Sequence, residues 1–323
     1  MLTTQFTLDR LRIDPAAETG RIVDALRGQL RRLRRKGVVL GLSGGIDSSV
    51  TAALCVEAIG PERVLGLLMP ERDCSSESVT LGRMVAEHYG VDTRLENIGP
   101  TLDALGCYAK RDAALRRVLP EYQPAWRWKI ALPSLFEDAG YRIFHVVARD
   151  EHGREHRRRI PLEAYQEIVA ATNFKQRVRK MMEYYHADRL RYAVAGTPNR
   201  LEHDQGFFVK NGDGSADVKP IAHLLKGQVY QLAEHLGVPE EIRRRPPTTD
   251  TYSLEQTQEE FFFSLPYEQM DACLWGREHA VPESEVADAC GLSTSQVERV
   301  YADIDAKRRA AEYLHARPLL VDA

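Results

Sequence analysis

The sequence predicts an α/β protein: a doubly wound parallel sheet with a helical C-terminal part and an inserted β-hairpin region. Three observations predict it. Apolar runs that read as buried strands alternate with helical stretches at βαβ spacing over the first hundred residues. A glycine-rich turn joins the first of those strands to a helix. Beyond about residue 250 the pattern turns helical throughout. The 323 residues carry 43% hydrophobic and 28% charged side chains, the balance of a globular chain. The expected division is an α/β domain over 1–250, interrupted by an insertion at about 107–165, and a helical extension over 251–323.

Taken in order, Glu18 to Lys36 places Ile22, Val23, Leu26, Leu30 and Leu33 at helical spacing between arginines, which predicts an amphipathic helix. Gly37-Val38-Val39-Leu40 predicts the first buried strand. Gly41-Leu42-Ser43-Gly44-Gly45-Ile46-Asp47-Ser48-Ser49 follows, and the alanine-rich stretch Val50 to Ile59 predicts a helix. Glycines let the backbone approach an anion, and the first helical turn offers unpaired N–H groups with partial positive charge. Ser43, Ser48 and Ser49 add hydroxyl donors. Asp47 is the odd member, because a carboxylate beside a phosphate repels it. It makes sense as a ligand of a metal ion that bridges to the phosphates.

Val64 to Pro70 predicts the second strand, and Ser75 to His88 a helix capped by Ser75 or Ser76. Val91 to Ile98 predicts the third strand. In such sheets ligands sit at the carboxyl ends of the strands, where the first loop lies. From Gly106 to about Ala170 the pattern breaks, punctuated by Pro120, Pro124 and Pro133. Tyr141 to Val147 and Glu155 to Ile160 flank Asp150-Glu151-His152-Gly153, which predicts a β-hairpin. Trp126 and Trp128 could stack on a planar ring, but packing is the stronger reading. Asn173 to Tyr185 predicts a cation-rich helix, Arg191 to Thr197 a further strand, and Leu225 to Leu236 another helix. Glu285 to Ile304 has a helix-turn-helix outline; a two-helix packing unit is favoured over DNA binding, since the segment is acidic.

Composition narrows the function classes. The 44 cations and 47 anions give a net charge of −3, with no overall signal for nucleic acid. The runs at 31–36, 157–159 and 243–245 read as solvated basic faces. The five cysteines are scattered without a Cys-x-x-Cys, which opposes a zinc module or disulfide framework and fits a reducing cytoplasm. Neither a signal peptide nor a membrane-spanning run is expected.

The loop at 41–49 lacks the Gly-Lys-Ser/Thr of a Walker A motif. It resembles the Ser-Gly-Gly-x-Asp-Ser loop of the PP-loop ATP pyrophosphatases, which cleave ATP between the α and β phosphates. Further motifs follow in order: Asn173-Phe174-Lys175-Gln176-Arg177-Val178-Arg179, Gly196-Thr197-Pro198-Asn199-Arg200-Leu201-Glu202, and Gly206 to Gly214 with Asp217, then Lys226 and Pro247-Thr248. With these the chain resembles the ammonia-dependent NAD synthetases over about 18–105 and 170–310. The resemblance implies ATP-dependent amidation of nicotinic acid adenine dinucleotide (deamido-NAD) to NAD through an acyl adenylate. It implies Mg²⁺ on Asp47 and Glu202. It places Gly41, Ser43, Gly44, Gly45, Ser48, Ser49, Thr197, Lys226 and Thr248 against ATP. It places Arg177, Lys210, Asp217 and Lys307 against deamido-NAD, and gives Asp47, Lys210 and Lys226 catalytic roles. A homodimer is implied. The loop begins too near the N-terminus for a preceding glutaminase domain, so free ammonia, or a separate glutaminase subunit, supplies the nitrogen. Ala306 stands where the family often has a histidine before the lysine. A related ligase acting on another carboxylate is therefore the alternative. An RNA-thiolating enzyme would need catalytic cysteines or a metal–sulfur module, and a DNA-binding protein would need a basic recognition helix; neither is found in the sequence.

Overall fold

The structure is a computed structural model that describes residues 5–132, 135–136, 143–248 and 251–321. Helix α1 (Pro15–Leu33) leads into β1 (Val38–Gly41), α2 (Ile46–Ile59), β2 (Val64–Leu68), α3 (Ser76–Tyr89) and β3 (Asp92–Leu95). Then come α4 (Gly99–Ala104), α5 (Cys107–Val118), β4 (Arg127–Ala131), β5 (His145–Arg149), β6 (Glu155–Arg159), α6 (Leu162–Leu190) and β7 (Ala193–Val194). Helices α7 (Arg200–Gln205), α8 (Lys226–His235) and α9 (Glu240–Arg243) follow, then a π-helical turn (Glu259–Phe263) and α10 (Tyr267–Glu278), α11 (Glu283–Cys290) and α12 (Thr294–His315).

The main sheet has the order β3-β2-β1-β7, with every adjacent pair parallel. Alternate side chains of the strands bury into different cores. Val38 and Leu40 join the cluster with α1, α2, α3 and α8, while Val39 and Val194 meet α6 on the opposite face. The chain winds outward from β1 to β3 and then returns through α6 to β7 on the other side of β1. The topological switch point therefore lies between β1 and β7, and the glycine-rich loop leaves the carboxyl end of β1 at that crevice. The doubly wound parallel sheet is as the sequence predicts.

The interrupted region holds more order than the sequence suggested. β4, β5 and β6 form a three-stranded antiparallel ribbon, of which only the β5–β6 hairpin was foreseen. Asp150 closes that hairpin by accepting from the N–H groups of His152 and Arg154, both at 2.9 Å. Strand β5 begins at His145; Tyr141 and Arg142, expected in it, lie outside the described residues, as does Pro133. Trp128 is buried in the core between ribbon and α6, and Trp126 stacks on His156, so both tryptophans pack. The helix expected at 173–185 is the second half of α6, which runs for 29 residues from Leu162. Its first half packs on the ribbon through Ala164 and Ile168, its second on the sheet through Ala187. Two faces serve two cores, which removes the single-face periodicity that would have revealed its length.

Helices α10–α12 build a separate core in which Val286, Val297 and Val300 are buried together with Phe6, Leu201 and Leu225. The apparent helix-turn-helix is thus a packing unit.

Candidate active site

Helix α2 starts at Ile46 with Gly45 as its N-cap, and its first i→i−4 bond runs from Ser49 N–H to Gly45 carbonyl at 3.1 Å. The N–H groups of Ile46, Asp47 and Ser48 precede that bond and are the orphan donors of the turn. Gly44 has φ +75°, and a Cβ there would stand 2.4 Å from Leu81 Cβ, so neither backbone nor space admits a side chain. The loop opens on a cleft of about 450 Å³. Gly41, Ser43, Gly44, Gly45, Asp47, Ser48, Thr197, Glu202 and Thr248 line it, which brings together most of the residues expected at ATP.

Ser49 is the exception in the loop. It is fully buried, and its hydroxyl donates to Gly45 carbonyl at 2.8 Å. Ser48 also donates to that carbonyl, at 3.0 Å. These hydroxyls brace the turn; the backbone amides are what it offers an anion.

Asp47 is the centre of a charged constellation. Its Oδ2 accepts from the Lys226 ammonium at 2.5 Å, and its Oδ1 from Asn199 Nδ2 at 3.2 Å. Asn199 Oδ1 in turn accepts the Glu202 N–H at 3.2 Å, and Glu202 Oε2 accepts the Asn199 N–H at 3.1 Å. This capping box opens α7 and holds Glu202 near Asp47. Burial, then the Asp47 charge, pushes the Glu202 carboxyl well above the usual carboxylate range. Burial pulls the Lys226 ammonium down, but Asp47 and Glu202 outweigh it and leave the group raised. Lys226 is 0% exposed and lies behind Asp47, away from the open cleft. The sequence reading missed Asn199; the Asn-x-x-Glu spacing was the available signal.

Two carboxyls share one buried lysine, and Glu202 holds its proton for want of a second positive charge beside Asp47. A divalent cation would supply that charge. Hard oxygen donors fit a divalent cation of the Mg²⁺ kind, which commonly takes one or two protein carboxylates and completes its shell with phosphates and water. Among the described residues no group of three or more His, Cys, Asp or Glu forms a closed metal cage. An open site that depends on the nucleotide's own oxygens suits this pair.

The four side chains expected at the dinucleotide are not gathered there. Arg177 is exposed, with Nε donating to Lys210 carbonyl at 3.3 Å. The Lys210 ammonium donates to Tyr313 carbonyl at 2.7 Å and sits 4.1 Å from that ring. Asp217 accepts from Val194 N–H at 2.8 Å at the end of β7. Lys307 donates to Phe262 carbonyl at 2.7 Å and so braces the π-helical turn from behind. None of the four is among the cleft-lining residues. The far wall is instead aromatic: Phe207 and Phe262 stack at 4.6 Å, with Phe208, Phe261 and Tyr252 beside them. Asp213 and Glu183 also line the cleft, both with carboxyls raised by burial, and Glu183 pairs with Lys180 at 2.5 Å. Asp213 fell within a motif read from the sequence but was given no role.

The family model described as NAD synthase matches residues 18–120 and 145–311. It leaves 121–144 unmatched, a shorter stretch than the insertion expected at 107–165. The chain is 61% identical over 98% of its length to the "NH(3)-dependent NAD(+) synthetase" of Rhizobium meliloti (strain 1021), covering 95% of that protein. It is 59% identical over 96% of its length to the protein of the same name from Mesorhizobium japonicum, covering 98% of it. Among solved structures, the NMN synthetase of Francisella tularensis superposes with a TM-score of 0.65 at 21% identity, over 97% of this chain and 100% of that one. The NH3-dependent NAD synthetase of Campylobacter jejuni gives 0.63 at 20%, over 96% and 100%. These two show the fold alone.

Proposed function

We infer the function from the premise that this chain belongs to the NAD synthase family. It is a ligase that converts deamido-NAD to NAD at the expense of ATP, with ammonia as nitrogen donor, releasing AMP and pyrophosphate. One observation carries this reading. The phosphate-type loop and the Asp47–Lys226–Glu202 constellation stand at the switch point of a chain 61% identical to an ammonia-dependent synthetase across 98% of its length. A ligase for a different carboxylate, the alternative raised by Ala306, is not favoured, because relatives of the same name run from 61% to 56% identity over nearly the whole chain.

The chemistry follows from the substrate. A carboxylate does not accept ammonia, because oxide is a hopeless leaving group. Attack of the nicotinate carboxylate on the α-phosphorus breaks the bond to pyrophosphate and makes an acyl phosphate ester. Ammonia then adds to the acyl carbon, AMP departs with the bond to the acyl oxygen, and the nitrogen sheds its one extra proton. The first-turn amides of α2 receive phosphate oxygens in a geometry set before the ligand arrives. Asp47 and Glu202 would hold Mg²⁺, which when bound offsets charge on the departing pyrophosphate. Lys226 holds Asp47 in place and adds positive charge behind it. Thr197 and Thr248 present polar side chains along the same cleft.

Arg177 and Lys210 lie together outside the cleft, where a dinucleotide reaching beyond it would meet them. A second copy of the chain completes that binding surface in our reading, and the enzyme is a homodimer. All five cysteines are free thiols, which fits a cytoplasmic site of action. No described helix is long and apolar enough to cross a membrane. Ammonia arrives free or from a separate glutaminase.

The test is pyrophosphate release with ATP, Mg²⁺, ammonium and deamido-NAD. Turnover that requires all four is the expected result. Absence of turnover with that acid, and turnover with another carboxylate, would overturn the substrate assignment.

A further inference from the structure

Asp271 is a buried acid, 2% exposed, that lies on α10 in the helical layer and has no part in the chemistry above. Both its oxygens point at the start of α8. That helix begins at Lys226, and its N-cap residue, Leu225, has no side-chain acceptor. Gln228 Oε1 takes the Leu225 N–H at 3.0 Å. The next two orphan donors, the N–H groups of Lys226 and Gly227, go to Asp271 Oδ1 at 3.1 Å and Oδ2 at 2.7 Å. The helix is therefore capped in trans, by a carboxylate more than forty residues away in sequence. One turn earlier on α10, the Tyr267 ring lies 5.2 Å from the Lys226 ammonium. A single lysine is thus held at its backbone by Asp271, along its head by Tyr267, and at its charge by Asp47 at 2.5 Å.

We propose that Asp271 is a positioning residue for the nucleotide site: by capping α8 from the helical layer, it fixes the Lys226 ammonium against Asp47 and sets the charge that the nucleotide phosphates meet. This rests on the reading that Asp47, with Lys226 behind it, serves ATP and its cation. The physical reason is that Lys226 is the first residue of its helix. Two buried donors without a partner would turn that first peptide to recover hydrogen bonds, and the ammonium would move with it. The C-terminal helices, remote from the phosphate loop in sequence, thereby act on it.

A double-mutant cycle tests this on the full-length chain, with binding of α,β-methylene-ATP and Mg²⁺ measured by calorimetry and folding by circular dichroism. Asp271→Asn keeps the volume and one acceptor oxygen, and should weaken analogue binding by about tenfold. KM for deamido-NAD should stay unchanged. Lys226→Met should weaken the analogue as well, and the double variant should bind no worse than Lys226→Met. Unchanged binding in Asp271→Asn, or an effect that adds in full to that of Lys226→Met, overturns the proposal. Native affinity in Lys226→Met overturns instead the reading of Lys226 itself, and the proposal with it. Should Asp271→Asn fail to fold, Gly227→Ala carries the test. Its Cβ would stand 3.3 Å from Asp271 Oδ2 and crowd the cap while leaving the acid in place. Weaker analogue binding is expected there, and native affinity would overturn the proposal.

Discussion

Asp47, Asn199 and Glu202 show what a single side chain can and cannot reveal in a sequence. Asp47 stands out in the sequence because a carboxylate inside a phosphate-type loop calls for a metal ion between them; in the structure its partner is the Lys226 ammonium. Asn199, which bridges the two carboxylates, was not read, because its use depends on where α7 docks. Ser49 shows a related effect: a serine in a tight turn can spend its hydroxyl on its own backbone. Two predictions belong here. Asp47→Asn should reduce pyrophosphate release by about a thousandfold or more with the fold intact. Asp47→Ala should also lose stability, by about 3 kcal/mol, because it strips a fully buried lysine of its nearest partner. Adding Lys226→Met should recover the melting temperature but not the activity. Recovery of pyrophosphate release in that double variant would refute the metal role of Asp47. The second concerns Glu202→Gln. Glutamine at this position still completes the capping box, so α7 and the melting temperature should be unaffected. Glutamine cannot give up a proton to become the anion a cation would need there, so the Mg²⁺ concentration for half-maximal rate should rise about tenfold. An unchanged Mg²⁺ requirement would remove Glu202 from the cation site.

Elements were legible where local pattern and burial agree. β1, β2 and α2 are buried nearly throughout, and their apolar runs marked them. β4 has a period-two burial pattern, yet it lies among prolines and was passed over. β7 is two residues long; beyond it Ala195 still donates to Val39 carbonyl at 2.9 Å, but its bridge is to Val218, and Ala195 to Thr197 line the cleft. The trans cap of α8 had no sequence signal, since Lys226 and Gly227 meet Asp271 only through the docking of α10. That contact has a pH signature. Burial pushes the Asp271 carboxyl up to about 7, although its two N–H donors and Lys226 pull it down. In the unfolded chain the group has the ordinary value of about 3.9. Between those two values the folded state holds a proton that the unfolded state has lost, so stability falls as pH rises through that window. Asp271→Asn removes this contribution. Thermal unfolding at pH 5 and pH 8 should show a smaller loss of melting temperature with rising pH in the variant than in the native chain. Equal losses would mean that Asp271 is ionised in both states throughout.

At the scale of the whole molecule, the cleft of a single chain and the reaction it serves are mismatched in size. About 450 Å³ is room for one small-molecule ligand. The reaction needs a triphosphate and a dinucleotide in contact, and the expected dinucleotide contacts Arg177 and Lys210 lie outside that cleft. Arg177 shares a stripe of α6 with Met181 and Tyr185, each four residues on from the last. Met181 is 56% and Tyr185 57% exposed, large apolar side chains left facing water along the helix that forms the outer layer of the sheet. A second copy laid on that stripe would bury both and place its own surface beside Arg177. Sedimentation at micromolar protein should therefore give the mass of a dimer. Met181→Glu with Tyr185→Glu sets a charge where two copies would meet and should shift the mass toward the monomer. Since the glycine-rich loop, Asp47 and Glu202 belong to one chain, KM for ATP should change little, while KM for deamido-NAD should rise about tenfold or more. A native chain that sediments as a monomer while turning over at its full rate would show that one protomer suffices, and that the exposed stripe has another purpose.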